Sequence, residues 1–161
     1  MRALRDGTKE TVALGVLSGG EGVVLNSVRS QEPVCVYVQT GHRFPLHTAA
    51  PAKAILAFLP EEEQKNFLEK MTFPRFTAKT IRNKKAFLEE LKKVRREGIA
   101  FDMGEEARDL RCAAAPILDG SSYPVAAIWI TGPESRLDPS TLASAGKLVS
   151  KTAEKIASFI L

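Results

Sequence analysis

Residues 41–60 read GHRFPLHTAAPAKAILAFLP, and this stretch carries the strongest signal for the fold. A Pro-Leu-His turn leads into a helix start made of small residues, and the helix then becomes apolar until Pro60. The free N–H groups and the dipole at a helix start favour an anionic group there. Small side chains at positions 48–52 would also let a ligand approach the backbone. The alternative is an alanine-rich helix that only packs on a sheet.

Strand patterns lie on both sides of this helix, and further helix patterns follow it. Turn residues join neighbouring strand patterns, which is typical of hairpins. The sequence therefore predicts an α+β domain with a largely antiparallel six-stranded sheet flanked by helices, not a doubly wound sheet. The predicted strands cover residues 11–18, 23–28, 34–39, 99–103, 110–118 and 124–131. The predicted helices cover residues 49–58, 60–71, 84–97 and 140–161.

Local signals mark the ends of two of these helices. Gly98 follows the third helix and can adopt the left-handed conformation that commonly ends helices. Asp138 precedes the last helix and can accept hydrogen bonds from its first N–H groups, while Pro139 fits the first turn. We therefore expect one helix to end at about residue 97 and another to begin at about residue 139.

The composition is that of a single globular domain. The chain has 161 residues, of which 44% are hydrophobic and 26% charged, and a formal net charge of +4. Basic residues cluster at positions 79–96, but Glu89, Glu90 and Glu97 interrupt them, which favours a solvated helix face over a nucleic-acid surface. No apolar run approaches the roughly 18 residues that a membrane span needs, so no membrane partner is expected.

Few residues suggest redox, metal or catalytic chemistry. Cys35 and Cys112 are too few for a disulfide scaffold, and neither belongs to a CxxC pair, so a reduced, cytoplasmic location is expected. His42 and His47 have no neighbouring ligands at zinc spacing, so we expect no metal and no cofactor. The signatures GxSxG, HExxH, GxxxxGKS/T and GxGxxG after a strand are absent. The chain is therefore predicted not to be an enzyme.

Asp102, Cys112 and Thr131 fall on three successive predicted strands. They could face the small-residue helix start and form a concave site with polar groups on an apolar floor, as ligand pockets do. The set offers hydrogen-bonding groups without an obvious nucleophile–base pair, so ligand sensing fits better than catalysis. A small cysteine-dependent enzyme that uses Cys112 and Asp102 remains an alternative. However, a cysteine within an apolar strand is usually a small core residue.

Short motifs follow one another in order along nearly the whole chain. They are Pro45-Leu46-His47, residues 52–57, Phe76-Thr77, Thr80-Ile81, Leu91, Val94-Arg95, residues 98–100, Asp102, Glu105-Glu106, residues 110–114 and residues 130–133. Each fragment is weak alone, whereas the ordered set at compatible spacing is specific. Through this set the sequence resembles the C-terminal effector-binding domain of IclR-type bacterial transcription regulators.

The resemblance implies a GAF-like or profilin-like domain that binds a small metabolite, and a homodimer or homotetramer formed partly through this domain. In the family, a winged helix-turn-helix domain precedes the effector domain and binds operator DNA. Residues 1–161 match the effector domain alone, so we expect no helix-turn-helix here and contact with operator DNA only through a missing N-terminal domain. The predicted function is a small-molecule sensor that oligomerises and modulates DNA binding. A pure dimerisation module is the other alternative.

Position by position, the resemblance also implies an effector pocket. Pro51 lacks an N–H for a ligand carboxylate, Ala52 replaces the usual glycine, and Trp129 stands where a small hydroxyl residue is common. These departures favour an aromatic or differently shaped effector over a small keto acid, or a pocket that binds poorly. We expect an organic acid or an aromatic compound, with Trp129 either contacting it or closing the pocket as a core residue. The implied pocket residues are Val36, Phe44, Ala50, Pro51, Asp102, Cys112, Trp129 and Thr131.

Overall fold

The computed structural model describes residues 1–160. The strands in this range are β1 (Thr11–Ser18), β2 (Glu21–Val28), β3 (Arg43–Phe44), β4 (Ala100–Asp102), β5 (Leu110–Leu118) and β6 (Pro124–Pro133). The helices are α1 (Arg2–Thr8), α2 (Ala50–Leu56), α3 (Glu61–Lys70), α4 (Lys84–Glu97) and α5 (Pro139–Ala157). Along the chain their order is α1-β1-β2-β3-α2-α3-α4-β4-β5-β6-α5.

All six strands belong to one sheet, and every pairing in it is antiparallel. The strand order is β3-β2-β1-β6-β5-β4, so the β1–β2 and β5–β6 hairpins meet at the centre of the sheet. Gly19 and Gly20 form the turn between β1 and β2, and both have a positive φ, which glycine adopts without strain. The α+β class and the antiparallel six-stranded sheet predicted from the sequence are confirmed.

Different helices cover the two faces of the sheet. Helix α2 packs on the face that carries Ala13, Ala114 and Trp129, and α4 lies behind α2. Helices α1 and α5 cover the opposite face, which carries Val12 and Ile128. We call these faces the α2 face and the α5 face. Because both faces are buried, the central strands are apolar on both sides instead of alternating with polar residues.

The predicted helix ends agree with the backbone. Helix α4 covers the predicted residues, and Gly98 ends it in the left-handed conformation with a φ of 72°. Asp138 caps α5, because its carboxylate accepts hydrogen bonds from the N–H groups of Ser140 and Thr141. Helix α5 ends at Ala157, and position 161 of the predicted helix lies outside the described residues. No helix within residues 1–160 is long and apolar enough to cross a membrane.

Two parts of the predicted order are wrong. The predicted strand at 34–39 forms no backbone ladder, because the carbonyls of Val36 and Val38 accept hydrogen bonds from the hydroxyls of Thr11 and Ser27, each at 2.7 Å. The third strand is instead the two-residue β3, which pairs with β2. Helix α1 is missing from the prediction, because seven residues with one buried side chain, Leu4, leave no apolar period to detect.

Candidate functional site

A row of polar side chains crosses the α2 face on four neighbouring strands. Asp102 on β4, Cys112 on β5, Thr131 on β6 and Thr11 on β1 are successive Cα partners in the strand pairings. Asp102, Thr131 and Thr11 are buried, while Cys112 is half-buried. We call these four residues the polar row. The structure thus brings together three of the predicted site residues and adds Thr11, which the sequence analysis did not single out.

Hydrogen bonds hold the polar row in place. The Cys112 thiol donates to Thr131 Oγ1 at 3.2 Å, and Thr11 Oγ1 donates to the carbonyl of Val36 at 2.7 Å. Val36, another predicted site residue, is therefore anchored to the row through its backbone. At the other end, Asp102 Oδ1 accepts from the N–H groups of residues 104 and 105, at 2.9 and 2.7 Å. The Asp102 side chain thereby fixes the loop that follows β4.

Burial favours the neutral, protonated forms of the titratable side chains in the polar row. Desolvation raises the pKa of the Cys112 thiol to about 12, and the nearby Asp102 carboxylate adds to the rise. Desolvation also raises the pKa of Asp102 and outweighs the hydrogen bonds that its carboxylate accepts. Cys112 therefore remains a thiol near neutral pH, whereas nucleophilic attack needs a thiolate. Within the described residues, no group of three or more His, Cys, Asp and Glu side chains could hold a metal ion.

The start of α2 lies beside the loop that follows β4. Ala50 and Pro51, both predicted site residues, are buried in its first turn, which has no side-chain cap and lacks one N–H at Pro51. Thr48 Oγ1 donates to Glu106 Oε2 at 3.4 Å and so ties the helix start to this loop. Desolvation raises the pKa of Glu106, and the Asp102 carboxylate raises it further. Carboxyl groups therefore dominate the charge near the helix start.

A buried charge cluster supports the same region. The side chain of Lys53 on α2 is 0% exposed, and its Nζ donates to Glu105 Oε1 at 2.5 Å and to the Phe101 carbonyl at 2.8 Å. Glu90 Oε1 lies 3.5 Å from the same nitrogen. Desolvation raises the pKa of Glu105 to about 7 even though Lys53 opposes the rise. Within the described residues, the second carboxylate oxygen of Glu105 is buried without a hydrogen-bond partner.

The sequence analysis did not single out this cluster as part of the site. The available signal was a lysine within an otherwise apolar, alanine-rich helix, at position 53. A lysine on a buried helix must find an acidic partner, because an unpaired buried charge is strongly unfavourable. The pattern therefore indicates a buried ion pair, although it does not identify Glu105 as the partner.

Trp129 and Phe44 fill the middle of the α2 face. Their ring centroids are 5.6 Å apart in an edge-to-face arrangement, and the residues are 4% and 7% exposed. Glycines provide the room for both rings. A Cβ atom at Gly15 would lie 3.0 Å from Trp129 Cη2, and one at Gly22 would lie 1.9 Å from Phe44 Cε2. This packing supports the interpretation of Trp129 as a core residue that closes one side of the polar row.

Cavities lie on either side of this packed centre. One of about 580 Å³ separates α3 from the turn between β1 and β2, and we call it the α3 cavity; its lining includes Phe44, His47, Phe67, Lys70 and Met71. A groove of about 620 Å³ runs between α3 and α4, and a smaller cavity of about 270 Å³ lies between α4 and β4. Of the predicted site residues, only Phe44 lines any of these three, and none of the four polar-row residues does.

The sequence of this chain is similar to those of known transcriptional regulators. Residues 1–158 match the family described as bacterial transcriptional regulator IclR C-terminal. The chain is 35% identical over 156 residues to the HTH-type transcriptional repressor AllR of Klebsiella pneumoniae, an alignment that covers 97% of this chain and 57% of AllR. Across the curated relatives, the matched part spans 54% to 58% of their length, so this chain corresponds to about half of each.

Solved structures share the same fold. The structure of the Thermotoga maritima IclR protein superimposes with a TM-score of 0.92 at 30% identity, over 99% of this chain and 64% of the other. The inducer binding domain of a double mutant of PobR from Acinetobacter, in complex with 3-hydroxy benzoic acid, superimposes with a TM-score of 0.88 at 26% identity. That match covers 98% of this chain and 93% of the PobR domain.

Proposed function

This chain belongs to the family of IclR C-terminal domains of bacterial transcriptional regulators, and from that premise we propose that its polar row binds the effector. The chain is an effector-binding domain of this type. Its relatives are named as transcriptional regulators, not as enzymes. We also propose which residues bind the effector, what chemistry the effector has and how the protein assembles.

The observation that carries the proposal is the alignment of Asp102, Cys112 and Thr131 in one row beside the start of α2. Three strands contribute one polar side chain each, and the start of α2 adds Ala50 and Pro51. Cys112 is half-buried, so the row is not sealed from solvent. A few polar groups on an apolar floor are typical of small-molecule sites.

The charge near the row narrows the class of effector. Asp102 and Glu106 place carboxyl groups there, and the nearest buried cation, Lys53, is already paired with Glu105. A ligand carboxylate would be unfavourable beside these groups, because like charges repel in a poorly solvated site. Within the predicted class of organic acids and aromatic compounds, we therefore favour a ligand that presents a hydroxyl or carbonyl group to Thr131 and an aromatic body to Trp129.

In the whole protein, an effector would act by binding one arrangement of domains or subunits more tightly than another. The equilibrium then shifts by the difference between the two affinities. We propose that this chain forms a homodimer or homotetramer in the cytoplasm, and that a DNA-binding domain outside residues 1–161 contacts the operator. Sizing at several concentrations, with and without effector, tests the assembly. A dimer that binds no small molecule would support the pure dimerisation module.

Titration of a panel of hydroxylated aromatic compounds and keto acids tests ligand binding, with Trp129 fluorescence and calorimetry as readouts. Trp129 is the single tryptophan of the chain, so its emission reports on the wall of the row. We expect a saturable change, and an affinity about fivefold lower in Thr131→Val, because one hydrogen bond is lost. Thr152→Val, on the far side of α5, is the matched control. A panel without any saturable response would count against the proposal.

The cysteine-dependent enzyme is not favoured, because the relatives are regulators and the raised pKa of Cys112 keeps its thiol protonated. Alkylation with iodoacetamide at pH 7 separates the two cysteines by peptide mapping. We expect Cys112 to react no faster than Cys35. Rapid and selective modification of Cys112 would support the cysteine-dependent enzyme.

A further inference from the structure

Helix α3 is loosely packed against the rest of the fold. Leu68 is its only buried residue, while its other two apolar core-facing residues, Phe67 on the helix and Met71 just after it, are half-buried. The gap between this helix and the turn between β1 and β2 is the α3 cavity, with a volume of about 580 Å³. That volume lies in the range of small-molecule sites, which are commonly 300–1,000 Å³. The apolar surface left open here could therefore cover a ligand.

The α3 cavity is separate from the polar row. Phe44 lines the cavity on one side and packs edge to face against Trp129 on the other. Gly22 fixes this position of Phe44, because any Cβ there would overlap the ring. None of the four polar-row residues lines the cavity. Phe44 thus separates the two regions, and no polar-row side chain belongs to both.

The charges around the α3 cavity leave one cation available. Glu21 is paired with Arg43 at 2.8 Å, and Glu63 Oε2 accepts a hydrogen bond from the Tyr123 hydroxyl at 2.8 Å. Within residues 1–160, no carboxylate lies within 4.0 Å of the ammonium group of Lys70. Lys70 sits two helical turns from Glu63, roughly 10 Å along the axis, and both residues line the cavity.

His47 adds a polar group to the wall without adding a charge. The residue is 2% exposed, and its Nε2 donates to the Pro74 carbonyl at 2.9 Å. Desolvation lowers the pKa of this imidazole, so it is neutral at pH 7. With Nε2 as the donor, Nδ1 is an acceptor. Phe73 and Phe76 hold the ring, each with its centroid 5.6 Å away.

We propose that the α3 cavity is a second binding site, which takes a small monocarboxylate with an aromatic or branched apolar body. The carboxylate pairs with Lys70, and the apolar body lies against Phe44, Phe67 and Met71. Charge complementarity sets the sign of the ligand, because Lys70 is a cation of the lining that has no carboxylate partner within residues 1–160. This site goes beyond the effector site proposed above and does not depend on it.

Binding has two consequences that can be measured. The ligand covers the half-buried Phe67 and Met71, so it stabilises α3 against local opening. It also contacts Phe44, whose ring touches Trp129, so Trp129 fluorescence responds to occupancy of the cavity. Hydrogen exchange of the α3 backbone and the fluorescence of Trp129 therefore measure ligand binding independently.

The test uses benzoate as the probe, with benzamide as the neutral analogue and benzylamine as the cationic one. Binding to the full chain is measured by calorimetry and Trp129 fluorescence. We expect benzoate to bind more tightly than both analogues. Lys70→Met should weaken benzoate about tenfold because a charge-assisted hydrogen bond is lost, and Lys70→Arg should restore most of the affinity. Lys65→Met, on the exposed side of the same helix, is the control.

Several results would overturn the proposal. Benzoate that fails to bind would do so, as would an equal loss of affinity in Lys65→Met, which would indicate general surface attraction. Weakening by Thr131→Val in place of Lys70→Met would assign benzoate to the polar row instead. Hydrogen exchange provides the second measurement: benzoate should slow exchange of the amides of α3 about threefold or more. Unchanged exchange in α3 at saturating benzoate would contradict the proposal even if calorimetry detected binding.

Discussion

The polar row and the α3 cavity lie on the same face of one sheet, yet they differ in packing and in charge. The row is built from paired strands, three of its four residues are buried, and Asp102 within it and Glu106 beside it carry carboxyl groups. The cavity is bounded by a helix with one buried residue and by Lys70, a cation without a carboxylate partner among the described residues. A strand ladder holds polar groups close together, whereas a helix held by few contacts leaves space for a ligand.

The boundary between the two regions is a pair of aromatic rings seated on glycines. Phe44 rests on Gly22 and Trp129 rests on Gly15, so the rings fill the centre of the sheet. Changes on one side of this boundary should leave the other side intact, unless they move the rings. Variants on each side of the boundary, and at the boundary itself, test that independence.

Removing the buried cation tests the polar-row side. We expect Lys53→Met to lower the free energy of unfolding by about 3–5 kcal/mol above pH 7, because Glu105 and Glu90 lose their buried partner. The loss should shrink towards pH 5, where Glu105 takes up a proton. Urea unfolding at both pH values measures it, with the exposed Lys147→Met as the control. Equal losses at both pH values would contradict the role of Glu105.

The pH dependence of the unmodified chain comes from the same cluster. The pKa of Glu105 is raised from 4.5 when unfolded to about 7 when folded, so the folded state binds more protons between these values. The contribution of Glu105 to stability should therefore be fully present below pH 4.5 and fall by about 3 kcal/mol as the pH rises to 7. The raised pKa of Asp102 acts in the same direction. Glu105→Gln should flatten this part of the curve measured by urea unfolding.

Gly22→Ala tests the boundary itself. The new Cβ would lie 1.9 Å from Phe44 Cε2, so the ring must move away from Trp129. We expect a loss of about 1–3 kcal/mol and a red shift of the Trp129 emission, because overpacking displaces the pair. Gly120→Ala is the matched control, since a Cβ there meets no atom within 4 Å. An unshifted emission spectrum would show that the rings do not depend on Gly22.

Asn83→Ala provides the smallest effect and a reference for both regions. The Asn83 side chain accepts a hydrogen bond from the N–H of Ala86 at 2.9 Å and caps α4, which touches neither the polar row nor the α3 cavity. Its loss should cost about 1 kcal/mol. Benzoate affinity and Trp129 emission should stay unchanged. If either changed, general destabilisation would explain the effects of the other variants on binding.

Local patterns were sufficient for much of the fold. The apolar spacing of Phe87, Leu88, Leu91 and Val94 predicts α4. Phe87, Leu91 and Val94 are buried, and Leu88 is partly buried. The cap at Asp138 and the stop at Gly98 depend on neighbouring residues only, so they could be read directly. The strand predicted at 34–39 is wrong because a β-rich composition does not show whether the segment pairs with a neighbouring strand. Its carbonyls are bound by hydroxyls from distant strands instead of a backbone ladder.

The candidate site was also predictable from the sequence only in part. That Asp102, Cys112 and Thr131 lie on successive strands was predictable from the order of the strands. Their alignment in one row required the register of two pairings, which no local pattern contains. The placement of Val36, Phe44, Ala50 and Pro51 as effector contacts stays a prediction, as does ligand contact by Trp129. Lys53 carried a signal in its apolar helix, but Glu105 is 52 residues away.

Hydrophobic period, turn chemistry and caps are properties of neighbouring residues, so the sequence was sufficient for the α+β class, most helix and strand positions, and the chemical character of each segment. The tertiary structure alone decided which polar groups meet, where Phe44 and Trp129 pack, and that α3 stands away from the sheet to leave a cavity beside Lys70. Those features arise from contacts between residues far apart in the chain. Their energies depend on register, burial and shape, which exist only after the chain has folded.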